Sequence, residues 1–252
     1  MNSKELLKKV GAVLIALTFW QLTASFIHQK ILLVSPVQVC IRLMTIWQEQ
    51  GFFQTVFYSL SHIALGYVMA AVLGVLLAFL AYHFPIWETL LWPWMAAIKA
   101  VPVASFVVIC LIWLTVGKLS IFISFLIVLP IIYQNILAGL KSQSREMAEM
   151  AAVFRMSAFN RLRFITIPQL APFILSAARV TIGMAWKAGV AAEVIGTPNG
   201  SMGKALFLSK MYLATDDLLA WTVIIVAVSV ICEKACIWGL KKLLKVERQH
   251  GN

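Results

Sequence analysis

Charged residues interrupt this chain so rarely that the intervals between them are its first structural signal. A membrane-spanning helix needs about 20 mostly apolar residues, and six windows meet that need. They run from Val10 to Ile27, from about Thr55 to Tyr82, from Thr89 to Val116 with Lys99 inside, and from Leu119 to Leu140. The fifth covers about Pro168 to Ile195 and encloses Arg179, Lys187 and Glu193; the sixth runs from Leu218 to Leu240, with Glu233 and Lys234 near its end. The pattern predicts an all-α, polytopic membrane protein with six transmembrane helices in a single domain over residues 1–252, its core at about 55–240. Lys4, Lys8 and Lys9 also suit the positive start of a secretory signal, but no convincing small-x-small cleavage site follows Ile27, which favours an uncleaved first span.

Between the windows, three segments carry more specific patterns. Ser35-Pro36 reads as an N-cap followed by proline at the first helical position, opening a helix to about Gln50. Cys40, Leu43, Met44 and Trp47 form its expected apolar stripe, so it should lie in the outer interface or across other spans. Ala100-Val101-Pro102-Val103 falls inside the third window, where proline removes a backbone hydrogen bond. Two readings stand there: a break facing protein or a water-filled cavity, or an ordinary kink.

The third segment, about 141–168, is the one long polar stretch between apolar windows, and it predicts two short helices. Met147, Met150, Ala151 and Phe154 share a face in the first, with Glu146 and Glu149 in its early turns, where the helix dipole favours acids. Ser157 then caps a second helix bearing Phe159, Leu162 and Ile165 and stopping near Pro168.

Composition agrees with the windows: 62% of the 252 residues are hydrophobic, 12% are charged, and the mean hydropathy is +0.90. The net charge of +11 changes meaning once it is placed along the chain. With six spans and an inside N-terminus, the cytoplasmic side holds twelve basic residues: Lys4, Lys8, Lys9, Lys141, Arg145, Arg155, Arg161, Arg163, Lys241, Lys242, Lys245 and Arg248. The outer side holds five: Lys30, Arg42, Lys118, Lys204 and Lys210. That asymmetry is the positive-inside pattern; it puts both termini in the cytoplasm and accounts for the charge without nucleic acid. Cys40, Cys110, Cys232 and Cys236 lack metal spacing and read as packing residues.

The run Glu149-Met150-Ala151, then Ser157, then Ile165-Thr166-Ile167-Pro168 resembles the Glu-Ala-Ala loop of permease subunits in ATP-binding-cassette importers. Leu32-Leu33-Val34-Ser35-Pro36, the Ala-Gly-Leu-Lys-Ser ending at Ser142, the stretch from Trp186 to Gly196 and the turn Gly200-Ser201-Met202-Gly203 are similar to the nitrate, taurine and sulfonate branch of those permeases. The resemblance covers nearly the whole chain and implies the type I importer fold, in a bacterial cytoplasmic membrane. It implies a second permease copy, two separate ATPase subunits and an extracytoplasmic solute-binding protein as partners. It also implies that Glu146, Glu149, Ala151, Arg155, Ser157 and Pro168 belong to coupling helices that insert into the ATPase. Arg155 stands where the family pattern has glycine, and a non-glycine residue in a left-handed turn costs about 1–2 kcal/mol. Either the turn avoids positive φ, or Arg155 contacts the ATPase.

No G-x-x-x-x-G-K-[ST] loop occurs, so this chain is expected to be no enzyme and to hold no cofactor, ATP being bound by the partner. His28, His62, His83 and His250 are scattered, and His62, inside a span, reads as a helix-packing residue. Charges inside spans cost about 2.5–3.5 kcal/mol at mid-depth and face protein or water. Lys99, Pro102, Arg179, Trp186, Lys187 and Glu193 are therefore the candidate lining of a path for a small anionic or heterocyclic solute, with Trp186 as a stacking surface. The structural alternatives are that Arg179 caps carbonyls at the Pro102 break and that Lys187 pairs with Glu193. Pro198-Asn199-Gly200-Ser201 is a turn that either receives a binding protein or is plain surface. A membrane scaffold that anchors an ATPase without conducting solute is the alternative function, and an ion-coupled carrier a more distant one.

Overall fold

A computed structural model describes residues 3–27 and 33–244. Lys30, Lys245, Arg248, His28 and His250 of the sequence reading lie outside the described residues, as does Leu32. Eleven α-helices follow in chain order among those described: α1 (Ser3–Ile27), α2 (Pro36–Ile46), α3 (Phe52–His83), α4 (Pro85–Ala100), α5 (Val103–Cys110), α6 (Leu119–Lys141), α7 (Arg145–Val153), α8 (Ala158–Arg161), α9 (Ile167–Gly196), α10 (Met202–Met211) and α11 (Thr215–Leu243).

The centre of the bundle is α3, α6 and α9, and small residues bring them together. Gly66, Ala70, Gly74 and Ala78 recur at four-residue intervals on the buried side of α3. A Cβ on Gly66 would lie 2.2 Å from the carbonyl oxygen of Ile121 on α6, so the two backbones touch there. Gly189 plays the same part on α9, where a Cβ would fall 2.6 Å from Ser124 Oγ. Lipid offers no hydrophobic drive between helices, and close van der Waals packing over small residues supplies the attraction. The Ser124 hydroxyl also donates to the Ala185 carbonyl at 3.1 Å, joining α6 to α9.

Among the described residues, five helices are long and apolar enough to cross a membrane: Val10–Ile27, Phe52–His83, Val116–Lys141, Ala158–Gly196 and Thr215–Leu243. The expected third span is not one helix. α4 and α5 meet at an angle of 101° across Val101 and Pro102, and the count reaches six only if this bent pair is one span. Val101 is extended, with φ −79° and ψ 130°, the conformation that a following proline ring imposes on its predecessor. The break reading therefore holds over the simple kink.

Three other expectations shift. α2 starts where predicted, with a full capping box between Ser35 and Gln38, but it ends at Ile46 rather than near Gln50. Its buried face is Val39 and Ile46 with Leu43 partly covered, while Cys40, Met44 and Trp47 face outward. Arg42 turns inward and bridges Asp217 of α11 and Glu49, which anchors α2 across the bundle. Pro168 does not stop the hairpin's second helix; a π-helical turn over Leu162–Thr166 joins α8 directly to α9. The widened turn accommodates a residue without an N–H that would break a regular α-helix.

α1 stands apart from the bundle. Only 6% of its apolar window is buried inside the protein, and its tie to the rest includes a bond from Trp20 Nε1 to the Val34 carbonyl at 3.1 Å. Phe19 and Phe26 are largely exposed, as suits side chains solvated by hydrocarbon.

Candidate functional site

The break between α4 and α5 opens a cavity of about 460 Å³ against α6 and α9. It brings together three of the residues singled out from sequence: Lys99 and Pro102 from the break, and Lys187 from α9. Ile127, Pro130 and Met184 supply apolar walls, and no carboxylate lines the space. Lys99 Nζ donates to Gln134 Oε1 at 2.8 Å, which fixes one ammonium at the rim. Lys187 is exposed and forms no ion pair among the described residues, so its charge is uncompensated. The N-terminus of α5 at Val103 borders the same space and adds the positive end of a helix dipole. The cavity is thus electropositive, and anion binding is what such an arrangement does.

Arg179 lies outside this cavity. It is exposed on α9, eight residues before Lys187, on a stripe with Ser176, Val180 and Met184. It does not cap carbonyls at the break and has no hydrogen-bond partner among the described residues, so the capping alternative fails. The rotation of about 80° between positions 179 and 187 leaves both exposed on α9, Lys187 at the break cavity and Arg179 outside it.

Trp186 and Glu193 turn the other way. Trp186 is 4% exposed and packs near Ile63, Tyr67 and Ile182, so it offers no stacking surface to a solute in the break cavity. Glu193 is fully buried and unpaired with Lys187. Six residues separate them, which is about 240° of helical rotation, enough to send the carboxyl group into the bundle. There Ser59 Oγ donates to Glu193 Oε2 at 2.6 Å and the Gly203 N–H donates to the same oxygen at 3.2 Å. The Met202 N–H in turn donates to Ser59 Oγ at 2.9 Å. Buried Ser120 adds a second hydroxyl beside the carboxyl. A Cβ at position 203 would come within 2.3 Å of Glu193 Cβ, so only glycine lets α10 approach so closely. Glu193 is a clasp joining α3, α9 and α10, and it does not line the break cavity.

Two residues escaped a search built on charge. Gln134, which holds Lys99, is one of few polar side chains in the window Leu119–Leu140, and that rarity was its signal. Ser59 carried none, because a serine in a long apolar window is indistinguishable from a packing residue until its partner is known.

At the far end of the bundle the hairpin takes its expected form in part. Ser157 Oγ accepts from the Asn160 N–H at 3.3 Å, so the second helix is capped as read, and Ser144 Oγ accepts from the Met147 N–H at 3.3 Å, a cap on the first helix that the sequence reading had not named. Arg155 is left-handed at φ +47°, and the Met156 N–H bonds the Ala151 carbonyl at 3.0 Å, closing a Schellman turn. The turn therefore keeps the geometry that glycine would give. Ala151 is buried beneath it, whereas Val153, Phe154 and Phe159 stand out at 80%, 74% and 67% exposure. Glu146 is exposed in the first turn of α7, and Glu149 pairs with Arg145 at 2.9 Å, a contact worth about 0.3–0.5 kcal/mol at such a surface. The Gln169 side chain, next to Pro168, accepts from the Ser144 N–H at 3.1 Å and closes the hairpin's base. Lys141 bonds Glu88 at 2.6 Å, tying the root of the hairpin to the start of α4. His62 bonds back to the Tyr58 carbonyl at 2.8 Å and stacks on the Tyr58 ring, as a packing residue does. The turn at Pro198–Ser201 places Gly200 at φ +76° and gives α10 its Ser201 cap.

The sequence matches known proteins along most of its length. Residues 70–238 match the family of binding-protein-dependent transport system inner membrane components. The taurine transport system permease protein TauC of Escherichia coli (strain K12) is 27% identical over 238 residues, covering 92% of this chain and 86% of that protein. A putative ABC transporter permease protein of Methanocaldococcus jannaschii is 25% identical, covering 93% of this chain and 90% of its own. The formylaminopyrimidine transport permease protein ThiX of Halalkalibacterium halodurans is 27% identical over 74% of this chain and 75% of its own. With a family match over residues 70–238 and relatives matched over most of both chains, this chain belongs to that family, as a transmembrane permease subunit of an ATP-binding-cassette importer.

Proposed function

We propose that this permease carries a small anion through the cavity at the α4–α5 break, in an assembly of two permease copies, two ATPase subunits and an extracytoplasmic binding protein. The observation that carries the reading is the pair Lys99 and Lys187 around a space with no carboxylate in its walls. The sulfonate of taurine, the solute named for one relative, is the kind of group two ammonium ions and a helix N-terminus would hold. The exposed stripe of α9 that bears Arg179 and Lys187 faces the second copy, so the path runs between the copies and receives both sets of cations. The bilayer is a bacterial cytoplasmic membrane with both termini inside. The hairpin, with Glu146, Glu149, Ala151, Arg155, Ser157 and Pro168, docks on the ATPase there. Val153, Phe154 and Phe159 supply the apolar contact, and the joined helix α8–α9 transmits the ATPase stroke toward Lys187 without an intervening loop.

Uptake and ATP hydrolysis by the reconstituted assembly test this. Lys187→Met is expected to lower anion-stimulated hydrolysis and uptake about tenfold, since a bond to a charged group is worth about 1.5–3 kcal/mol, and Lys187→Arg to keep most of both. Unchanged rate and solute dependence in Lys187→Met would overturn the path assignment. A wild-type assembly that hydrolyses ATP without moving any solute would favour the scaffold reading.

A further inference from the structure

The face of the bundle remote from the break carries a second site. α3 and α11 run in the same direction and meet at one end, where Phe52 stacks on Trp221 with ring centroids 5.4 Å apart. Toward the other end the space between them holds two apolar cavities of about 310 and 400 Å³, floored by α9. Tyr67 and Cys236 line both, so the two adjoin along one groove between α3 and α11. Its rim residues Val68, Val72 and Leu76 are more than half exposed, so the groove opens sideways into the bilayer. The Tyr67 hydroxyl lies 3.5 Å from Thr181 Oγ1, and hydrocarbon dominates the rest.

The larger cavity runs along α3 from Tyr67 to Leu76, about 14 Å at 1.5 Å per residue, close to the roughly 15 Å of one leaflet's hydrocarbon. The groove also has a charged end. Lys242 follows the lining residue Ala235 by seven positions, about 20° of rotation, and so continues that wall beyond the apolar part. Lys242 Nζ lies 5.5 Å over the Trp238 ring, Lys241 is exposed beside it, and Trp238 is 68% exposed, an aromatic anchor at the membrane interface. Across the groove His83 follows Leu76 by the same seven-residue step.

We propose that the α3–α11 groove is a binding site for one anionic phospholipid from the leaflet on the hairpin side. One acyl chain lies along Tyr67, Val72 and Leu76, and the phosphate sits on Lys241 and Lys242. The charge at the mouth selects an anionic over a zwitterionic headgroup, and the groove selects a chain rather than a free phosphate. The site is independent of the solute path.

Native mass spectrometry of the purified full chain, titrated with phosphatidylglycerol or phosphatidylcholine of equal chain length, tests the assignment. The wild type is expected to retain one phosphatidylglycerol per chain in preference to phosphatidylcholine, and Lys242→Gln to weaken that preference about fivefold. Ala71→Phe, which fills the groove, and Val72→Phe, at its exposed rim, are each expected to release the lipid while leaving the melting temperature near that of the wild type. Equal retention of both lipids, or retention unaffected by either groove substitution, would overturn the proposal. So would a thiol crosslink from Cys236 to a second copy in intact membranes, which would put a helix where the lipid is assigned. Glycerol phosphate competing as well as the whole lipid would rule out the chain's part.

Discussion

Removing the carboxyl group of Glu193 would strip Ser59 Oγ and the Gly203 N–H of their shared acceptor in a place water does not reach. Glu193→Ala is expected to cost about 3 kcal/mol, since an unsatisfied buried donor costs about 1–3 kcal/mol and the vacated volume adds to it. Glu193→Gln, which keeps the shape and one acceptor, should cost less than half of that. Chemical unfolding of the chain in mixed micelles measures both, and equal stability of Glu193→Ala and wild type would remove the clasp. Arg155 makes the opposite case, a side chain whose backbone pays for its presence. Arg155→Gly is expected to stabilise the isolated chain by about 1 kcal/mol by relieving the left-handed turn. If the arginine touches the ATPase, the same variant should bind the ATPase more weakly, so a melting curve and a binding isotherm on one protein separate strain from contact.

At the scale of elements, the long apolar helices were legible because hydrocarbon imposes a length on them: α6 was expected from Leu119 to Leu140 and runs to Lys141. The capped starts at Ser35 and Ser157 were legible because capping is local chemistry between residues three apart. Pro102 announced a disturbance in the third window but not its size, since the bend depends on what packs behind the proline. Pro168 misled for a related reason. Its missing N–H is harmless within the first turns of α9, and the π turn at Leu162–Thr166 carries the helix through. Among the site residues, charge within apolar windows singled out Lys99 and Lys187 but could not bring the two together, nor say which way Trp186 and Glu193 faced. A helix's inner side is set by its neighbours, and those are distant in sequence.

Across the whole molecule, two kinds of helical surface can be told apart by what a methyl group would meet. At Gly66 it would run into the Ile121 backbone, whereas at Gly183, on the exposed stripe of α9, it would meet nothing within 4 Å in this chain. Gly66→Ala is therefore expected to destabilise the isolated chain by about 2 kcal/mol, within the range for overpacking a close contact, and Gly183→Ala to leave its stability within about 0.5 kcal/mol. Thermal unfolding of the two variants side by side checks this, and equal losses would mean that the α3–α6 contact is looser than it is drawn. If the stripe of α9 faces a second copy, Gly183→Ala should instead register in the association of the two chains.

The contact of bare backbones at Gly66 sets the mechanics of the subunit. Helices so close have no side-chain cushion to slide on, so α3 and α6 form a single plank, with α9 pinned to it through Gly189 and Ser124. If the hairpin docks as proposed, a stroke delivered through α8–α9 would tilt the plank as a whole instead of shearing it. The compliant joint lies at Val101–Pro102, where one helix ends and the next begins at 101°. In the proposed transport cycle, that joint beside the two lysines is where rocking of the subunit would change the width of the break cavity.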